Sequence, residues 1–270
     1  MSDSPVITLT TDFGCEGPFA GVMKGVILTL NPHAKIIDFS HGIRPYGIVE
    51  AAFLIGLNYR YFPKGTMHAV VVDPGVGSER RPLIVSADNH YFIGPDNGVF
   101  SYIFGMRHET PRVVHVTASH YFLSSHSPTF QGRDVFASVA GWLSKGIDIS
   151  KFGPDIADFN KITLPLPTMT SEGAVQGEVI FIDRFGNAIT NIRKTDIERV
   201  LTVNPDYTVK FSITGREAAL KHHYSEAESG NLCALLNSSD LVEFFVYKGN
   251  ASQENKIIIG DKVTMLSSGR

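Results

Sequence analysis

Short runs of apolar residues alternate with segments of helical spacing through the first 160 residues of the chain. In residues 18–30, apolar positions recur at the spacing of one helix face. Because the strand-like runs are almost continuously apolar, we expect a mainly parallel sheet flanked by helices, that is, an α/β fold. The pattern predicts strands at 6–11, 35–39, 67–72, 83–87, 91–93 and 113–116, and helices at 18–30, 48–61 and 130–143.

The pattern changes near residue 161. Residues 161–170 contain two prolines and no helical period, which predicts an extended linker. Residues 217–230, rich in charge and histidine, predict a solvated loop. We expect an N-terminal α/β domain at 1–165 and a smaller, C-terminal all-β domain at 168–270. The predicted strands of the second domain lie at 177–183, 188–192, 208–213, 241–246 and 256–266.

The composition disfavours several classes of protein. With 43% hydrophobic and 19% charged residues among 270, the chain can build a folded core. A net charge of −3 and scattered Lys and Arg residues disfavour nucleic-acid binding. The N-terminus lacks a signal-peptide pattern, and no apolar run reaches the roughly 18 residues of a membrane span. We therefore expect a cytoplasmic protein without a membrane partner.

Nothing in the sequence predicts a metal or a cofactor. Cys15 and Cys233 have no metal-binding spacing, and we expect both to be buried in a reducing compartment. None of the ten histidines belongs to an HxH or HExxH pattern. Neither GxGxxG nor GxxxxGK[ST] occurs, so a dinucleotide site or a P-loop is unsupported.

Four short blocks combine glycine with a carboxylate, amide or guanidinium. TTDFG (10–14) and DPGVGSERR (73–81) follow predicted strands, where the ligands of α/β sheets bind. Asp12 either accepts both hydroxyls of a ribose or caps the following helix. Asp73 and Arg80 either hold and polarise a water or form a structural ion pair beside a glycine turn.

The other two blocks leave similar alternatives. FQGRD (130–134) opens a predicted helix, whose N–H groups can bind an oxygen or anion unless Asp134 merely serves the helix dipole. IDRFGNAITNI (182–192) is either an ordinary hairpin turn or a ligand turn with Phe185 as its apolar wall. From the residues alone, the four blocks indicate a polar site on an α/β fold.

Taken together and in order, the blocks resemble the S-adenosylmethionine (SAM) hydroxide adenosyltransferase family, which is related to the fluorinases and chlorinases. The resemblance implies a C-terminal β-barrel-like domain and a homotrimer with sites between subunits. It also implies hydrolysis of SAM at the ribose C5′ carbon to adenosine and methionine, without a cofactor. The matching stretches are TTDFG (10–14), IIDFSHGIRPYGIVEAAFLI (36–55), VVDPGVGSERRPL (71–83), IGPDNGVF (93–100), FQGRDVFASVA (130–140), IDRFGNAITNI (182–192) and NSSDLVEFFVYKGNA (237–251).

The resemblance implies roles for residues at matching positions. Asp12 would bind the ribose diol, and Tyr46 would lie beside the ribose and adenine. Asp73 and Arg80 match two members of an Asp–Arg–His triad that positions and activates water. The remaining substrate contacts would come from Asp183, Phe185, Asn187 and Ser238 around the methionine part and adenine, and from the backbone of Asn250 and Ala251.

The third member of that triad differs in this chain. The family's FHGRD block reads FQGRD, with Gln131 in place of histidine. Gln131 can hydrogen-bond a water but cannot accept a proton. Three alternatives stay open: Gln131 orients the water, His126 or His120 replaces the imidazole, or the protein binds SAM or adenosine with little turnover.

A SAM-dependent halogenase is a further alternative. Halogenating relatives carry an uncharged residue in place of the Asp of the VDPG block. Asp73 would place a negative charge beside the halide pocket and repel the ion. The presence of both Asp73 and Arg80 therefore favours hydrolysis.

Overall fold

A six-stranded sheet forms the core of the first of two units in the computed structural model, Met1–Leu164. The structure describes residues 4–105, 110–125, 127–170, 174–203 and 207–269. The strands of this sheet are β1 (Val6–Thr11), β2 (Lys35–Ser40), β3 (Met67–Val71), β4 (Pro82–Ala87), β5 (His90–Pro95) and β6 (Arg112–His115). Four helices accompany them: α1 (Phe19–Leu30), α2 (Ile48–Asn58), α3 (Ser101–Gly105) and α4 (Ser138–Ser144).

The strand order is β2-β1-β3-β5-β4-β6. Strand β1 runs parallel to β2 and β3, and β3 runs parallel to β5. Only β4 runs the other way, antiparallel to β5 and β6. The predicted mainly parallel sheet with flanking helices is confirmed.

Alternate side chains of the buried strand β3 enter two apolar layers. Ala69 and Val71 pack in the layer that includes α1 and α4, whereas Val70 packs in the layer that includes α2 and α3. Successive side chains of a strand point to opposite faces, so a sheet covered on both faces needs apolar residues at every position. This is why the central strands read as continuous apolar runs.

A closed seven-stranded barrel forms the second unit, Pro165–Arg270. The strand order is β14-β10-β11-β12-β13-β9-β8-β7, and a further pairing of β14 with β8 closes the ring. The predicted barrel-like C-terminal fold is confirmed. The seven strands of the ring are β8 (Val175–Ile182), β9 (Ala188–Arg193), β10 (Tyr207–Ile213), β11 (Arg216–Lys221), β12 (Leu232–Leu236), β13 (Leu241–Val246) and β14 (Lys262–Gly269), and the short strand β7 (Thr168–Met169) pairs with β8 outside the ring.

The prediction of a loop at 217–230 is wrong for the first part of that segment. Strand β11 occupies Arg216–Lys221 and pairs with β10 and β12. Its apolar residues Ala218 and Leu220 face the barrel core, the exposed Ala219 stands between them, and charged residues flank them on both sides. Because the inward residues are few and one is an alanine, the charged positions masked the alternation that marks a strand.

Other elements of the second unit also differ from the prediction, which lacked strands β7 and β12. The strand predicted at 256–266 begins only at Lys262, because helix α6 (Ala251–Asn255) ends at Lys256 in the left-handed conformation. Helix α5 (Lys194–Val203) was not predicted.

Two further observations concern expectations from composition. Cys233 is buried as expected, but Cys15 is exposed. Cys15 lies in the loop between β1 and α1, where it joins no apolar layer of the described residues. Within the described ranges, none of the helices is long and apolar enough to cross a bilayer.

Candidate active site

A cavity of about 290 Å³ lies in the first unit, where β1 and β3 end. Asp12 follows the last residue of β1, and Asp73 stands two residues after β3. Both therefore lie at the edge where the parallel strands present their carboxyl ends, the expected place for a ligand. The cavity is lined by Asp12, Phe13, Phe19, Pro45, Tyr46, Val71, Asp73, Val76, Thr129, Phe130, Gln131 and Gly132.

The Asp12 carboxylate is held by the loop that carries Tyr46. Its Oδ2 accepts a hydrogen bond from the backbone N–H of Tyr46 at 2.9 Å. Helix α1 begins after Pro18 without a side-chain cap, so the prediction that Asp12 caps this helix is wrong. A carboxylate offers about four acceptor positions, which leaves Asp12 able to accept further hydroxyl groups.

Tyr46 has an unusual backbone conformation beside this carboxylate. Its φ is 66°, and its side chain is 71% exposed. The left-handed region is unfavourable for a bulky aromatic residue, and such strained residues cluster at ligand sites. In this conformation the backbone N–H reaches Asp12 while the ring stays available to a ligand.

Asp73 and Arg80 form a buried, forked ion pair. Arg80 Nε donates to Asp73 Oδ1 at 3.0 Å, and Arg80 Nη2 donates to Asp73 Oδ2 at 2.5 Å. The two side chains are 5% and 9% exposed. The guanidinium also lies over the ring of Phe136, 5.2 Å from its centroid. Two parallel hydrogen bonds and a stacked ring fix the orientation of the Asp73 carboxylate at the cavity.

Gln131 completes this group of side chains. Arg80 Nη2 donates a hydrogen bond to Gln131 Oε1. An arginine has only donors, so the glutamine must turn its oxygen towards Arg80 and its Nε2 amide group away from it. Residue 131 immediately precedes a π-helical segment, Gly132–Ala137, that continues into α4. Such segments are rare and frequently occur at functional sites.

The structure describes one of the two histidines proposed as substitutes for the missing imidazole. His120 is exposed in a short 3₁₀ turn, its ring 4.2 Å from that of Tyr121, and it does not line the cavity. His126 lies outside the described residues.

Asp134, in the same FQGRD block, is fully buried. It accepts hydrogen bonds from Arg133 Nε at 2.5 Å and from the backbone N–H of Ser127 at 2.6 Å. The carboxylate therefore ties the preceding loop, which includes the cavity residues Thr129 and Phe130, to the start of the π-helical segment.

The second unit has a cavity of about 520 Å³ that contains three predicted substrate contacts. Asp183, Phe185 and Asn187 lie in the turn between β8 and β9. Asp183 Oδ1 accepts hydrogen bonds from the N–H groups of Phe185 at 2.9 Å and Asn187 at 2.8 Å. The block is therefore a hairpin turn that also lines a cavity, and the 75% exposed Phe185 ring is available as an apolar wall. The lining is Asp183, Phe185, Asn187, Tyr224, Val246, Tyr247, Lys248 and Gly249.

The remaining predicted contacts lie outside the lining of that cavity. Asn250 caps α6, its Oδ1 accepting from Gln253 N–H at 2.8 Å, and Ala251 is fully buried. Ser238 is exposed in the turn between β12 and β13. Asn250 does stand against the β8–β9 turn, because a Cβ on Gly186 would lie 2.1 Å from its Oδ1.

Tyr224 lines this cavity, although it lies in the segment predicted to be a solvated loop. Its hydroxyl donates to Glu243 Oε1 at 2.7 Å, and Glu243 is 4% exposed. Burial raises the pKa of Glu243, and burial together with the hydrogen bond to this carboxylate raises the pKa of Tyr224. Because Tyr224 has charged neighbours in the sequence, the pattern gave no sign that its side chain lines a cavity.

Three aromatic rings in the first cavity were also missed. Phe13, Phe19 and Phe130 contact one another, with centroid separations of 5.1–6.1 Å. Phe19 is 46% exposed, although its helical spacing suggested an internal position. No group of three or more His, Cys, Asp or Glu side chains in the described ranges is arranged to hold a metal ion.

Comparison with known protein families gives matches to both units. Residues 7–153 match the SAM hydroxide adenosyltransferase N-terminal domain, and residues 177–264 match the C-terminal domain. A protein of Methanocaldococcus jannaschii named (R)-S-adenosyl-L-methionine hydrolase is 34% identical over 97% of this chain and 95% of its own length. A protein of the same name from Salinispora arenicola is 31% identical over 97% of this chain and 98% of its own length.

A solved structure is also similar. The crystal structure of an uncharacterized conserved protein from Thermotoga maritima superposes with a TM-score of 0.88 and 31% sequence identity. The match covers 96% of this chain and 99% of that one. The likeness therefore extends through both the sheet and the barrel.

Proposed function

The chain belongs to the SAM hydroxide adenosyltransferase family, and from this we propose that it hydrolyses (R)-S-adenosyl-L-methionine to adenosine and L-methionine. Relatives that carry the name of this activity align over 97% of the chain. The observation that carries the proposal is the cavity that brings Asp12, Asp73 and Gln131 together. The name of these relatives specifies the R configuration of the substrate, which the sequence pattern did not predict.

The proposed reaction is an in-line displacement at the ribose C5′ carbon. The water oxygen forms a bond to C5′ while the C5′–S bond breaks, and its electron pair moves to sulfur. The sulfonium becomes the neutral thioether of methionine, and the water releases one proton. Because the leaving group is neutral, no acid is needed to protonate it. Catalysis therefore consists of holding water in line and excluding competing solvent.

Asp73, Arg80 and Gln131 position the water in this proposal. Asp73 accepts a hydrogen bond from the water and takes its proton, while the forked pair with Arg80 fixes the carboxylate. The Nε2 group of Gln131 donates to the water oxygen, since the glutamine oxygen is committed to Arg80. This donor orients a lone pair of the water towards C5′ without serving as a base.

The substrate contacts are assigned to both units. Asp12 accepts the two ribose hydroxyls, and Tyr46 lies beside the ribose and adenine. Asp183, Phe185 and Asn187 contact the methionine part and the adenine, with the Asp183 carboxylate already shared with its own turn. Ser238, Asn250 and Ala251 remain proposed contacts on the second unit.

A charge argument favours water over halide as the nucleophile. Asp73 lines the cavity, and it occupies the position at which the family resemblance implies an uncharged residue in halogenating relatives. A negative carboxylate repels a halide ion in the same cavity, whereas it attracts the hydrogen atoms of water.

The first test is incubation of the purified protein with (R)-SAM and, separately, (S)-SAM in chloride-free buffer. Liquid chromatography should detect equal amounts of adenosine and L-methionine, formed catalytically from the R epimer. Intact SAM that still binds in calorimetry would contradict turnover and support a binding protein. A 5′-halogenated product after chloride addition would support a halogenase.

Asp73→Asn tests the assignment of the water-binding group. We expect kcat to fall about 100-fold, as for the loss of one oriented polar group in an active site, with a smaller change in adenosine affinity. Asp155→Asn is a matched control, because Asp155 pairs with Arg112 on the exposed surface at 2.9 Å. Equal rates for Asp73→Asn and the wild type would refute the role of the Asp73–Arg80 pair.

Gln131→His tests the departure from the family pattern. Histidine restores a group that can accept the proton of the attacking water, so kcat should rise or acquire a new dependence on pH near 6.5. The measurement is kcat from pH 5.5 to 8.5 for both proteins. Identical profiles and rates would show that residue 131 does not act on the water.

The substrate assigned to the chain is a small molecule, and its other partners remain predictions. The family resemblance implies a homotrimer, which light scattering after size-exclusion chromatography tests. Absence of nucleic-acid binding is expected from the composition, and a cytoplasmic location stays a prediction.

A further inference from the structure

A series of hydrogen bonds lies behind the loop that carries Asp12. Lys24 Nζ donates to Asp38 Oδ2 at 2.6 Å, and His41 Nε2 lies 3.0 Å from Asp38 Oδ1. On its other side, His41 Nδ1 lies 2.9 Å from the hydroxyl of Thr11. Thr11 is the residue immediately before Asp12, so the series ends at the cavity loop.

The direction of these hydrogen bonds follows from the donors available. Thr11 Oγ1 accepts the backbone N–H of Phe13 at 3.2 Å, so its own proton is available to His41 Nδ1. His41 Nε2 then carries the imidazole hydrogen and donates it to Asp38. Burial opposes ionisation of Asp38, but hydrogen bonds from Lys24 and His41 outweigh it and lower the pKa of Asp38. The imidazole therefore joins an ionised carboxylate to a hydroxyl.

His41 holds the same loop at a second point. Its backbone oxygen accepts a hydrogen bond from the N–H of Gly14 at 2.9 Å. One residue thus fixes the chain on both sides of Asp12 and Phe13. Asp12 and Phe13 line the cavity. His41 and Thr11 do not belong to its lining and are buried, with exposed fractions of 7% for His41 and 0% for Thr11.

The order Asp–His–Thr resembles that of a hydrolytic triad, but its surroundings differ. A nucleophilic hydroxyl must reach a substrate, whereas Thr11 Oγ1 is buried and engaged by Phe13 and His41. The series can act on the reaction only through the position of the loop.

We propose that His41 is a positioning residue for recognition of the ribose diol. It fixes the loop at 11–14 so that the Asp12 carboxylate meets both hydroxyls of the ribose. Bidentate acceptance needs the carboxylate within roughly 0.5 Å and 10–20° of its correct placement, which a loop residue achieves only with support of this kind. The inference rests on the proposed function, in which Asp12 binds the ribose.

Discrimination between adenosine and 2′-deoxyadenosine tests the proposal in the full-length protein. 2′-Deoxyadenosine lacks one of the two hydroxyls that Asp12 would bind, so the wild type should bind adenosine more tightly than 2′-deoxyadenosine. His41→Phe keeps an aromatic ring but removes both side-chain hydrogen bonds. We expect the ratio of the two dissociation constants, measured by calorimetry, to fall about tenfold towards that of Asp12→Ala. KM for SAM should rise more than kcat falls.

Two variants separate positioning from a general loss of structure. His41→Asn places an amide near the position of Nδ1, retains the link to Thr11 and should keep most of the discrimination. His68→Phe is the matched control, because His68 is also buried and bonded through Nδ1 to a threonine of β1, Thr8, at 2.8 Å. It should reduce stability and leave the ratio unchanged.

The outcomes distinguish this inference from the proposed function. If Asp12→Ala loses discrimination while folded His41→Phe retains it, the positioning role is wrong. If Asp12→Ala itself retains discrimination, the assignment of the ribose to Asp12 fails instead. Should His41→Phe not fold, Asp38→Ala removes the outer link at a 45% exposed side chain. An unchanged ratio in Asp38→Ala would then overturn the proposal, and a reduced ratio would support it.

Discussion

Acidification should destabilise the first unit through the buried imidazole of His68. This ring is fully buried, stacked on Phe92 at a centroid distance of 5.1 Å, and its Nε2 lies 3.2 Å from His90 Nδ1. Burial, followed by repulsion from His90, lowers the pKa of His68 from 6.5 to about 3. The folded protein therefore keeps this ring neutral over a range of pH in which the unfolded chain binds a proton.

The size of the effect follows from the two pKa values. The pKa of His68 is lower in the folded than in the unfolded protein, so the neutral ring costs no stability above pH 6.5. As the pH falls from 6.5 towards 3, the unfolded chain gains a proton that the folded protein does not bind, and the free energy of unfolding decreases. At pH 5, roughly 1.5 units below the unfolded pKa, His68 alone lowers the free energy of unfolding by about 2 kcal/mol. Burial also lowers the pKa values of His90 and His115, so their contributions have the same sign.

Urea unfolding followed by tryptophan fluorescence measures this loss selectively. Trp142 is the single tryptophan of the chain and belongs to α4 in the first unit. We take the unfolding free energy to fall by about 2 kcal/mol per M urea. Between pH 7 and pH 5, the urea midpoint of the wild type should then decrease by roughly 1 M more than the midpoint of a variant without the titrating ring.

A suitable variant is Thr8→Val with His68→Phe. Phenylalanine can occupy the place of the imidazole on Phe92, and valine removes the hydroxyl that His68 would otherwise leave unpaired. A double variant whose midpoint falls with pH as steeply as that of the wild type would refute the reasoning.

Three further predictions concern single residues. Tyr46→Gly should relieve the left-handed strain and raise the unfolding free energy by up to about 1 kcal/mol, while KM for SAM increases; urea unfolding and steady-state kinetics measure the two effects. Gly186→Ala should displace Asn250, because its φ of 85° disfavours alanine and the new Cβ would overlap the amide; a melting temperature unchanged from the wild type would contradict this. Asp96→Ala should cost about 3 kcal/mol, since it leaves Arg81 without its buried partner at 2.7 Å, and an unchanged urea midpoint would exclude that loss.

The sheet of the first unit could be predicted well from the sequence for a physical reason. Strands buried on both faces need apolar residues at every position, and β3 shows five buried residues in succession. The positions of Asp12 and Asp73 followed from the same pattern, because they come soon after such strands. The second unit was harder, since a barrel strand such as β11 buries only alternate residues, and short inward residues give a weak signal.

The side chains around the site could be predicted only in part. Asp12, Asp73 and Gln131 lie in one cavity, but Phe19 was interpreted as an internal helix residue and Tyr224 as part of a loop. Helical spacing shows which face of a helix is apolar, not whether that face is covered by the core or open to a ligand. The link between His41 and Thr11 joins residues 30 positions apart, and no local pattern reveals it.

The closure of the barrel affects how this protein should behave when it is concentrated or refolded. Each of its seven strands has a hydrogen-bonded neighbour on both sides, which leaves no row of unpaired backbone groups for a foreign strand to join. The open sheet of the first unit instead ends at β2 and β6, and β2 exposes 41% of Ile37. Aggregation by strand addition should therefore begin at the first unit, so charged substitutions along β2 are the place to improve colloidal stability.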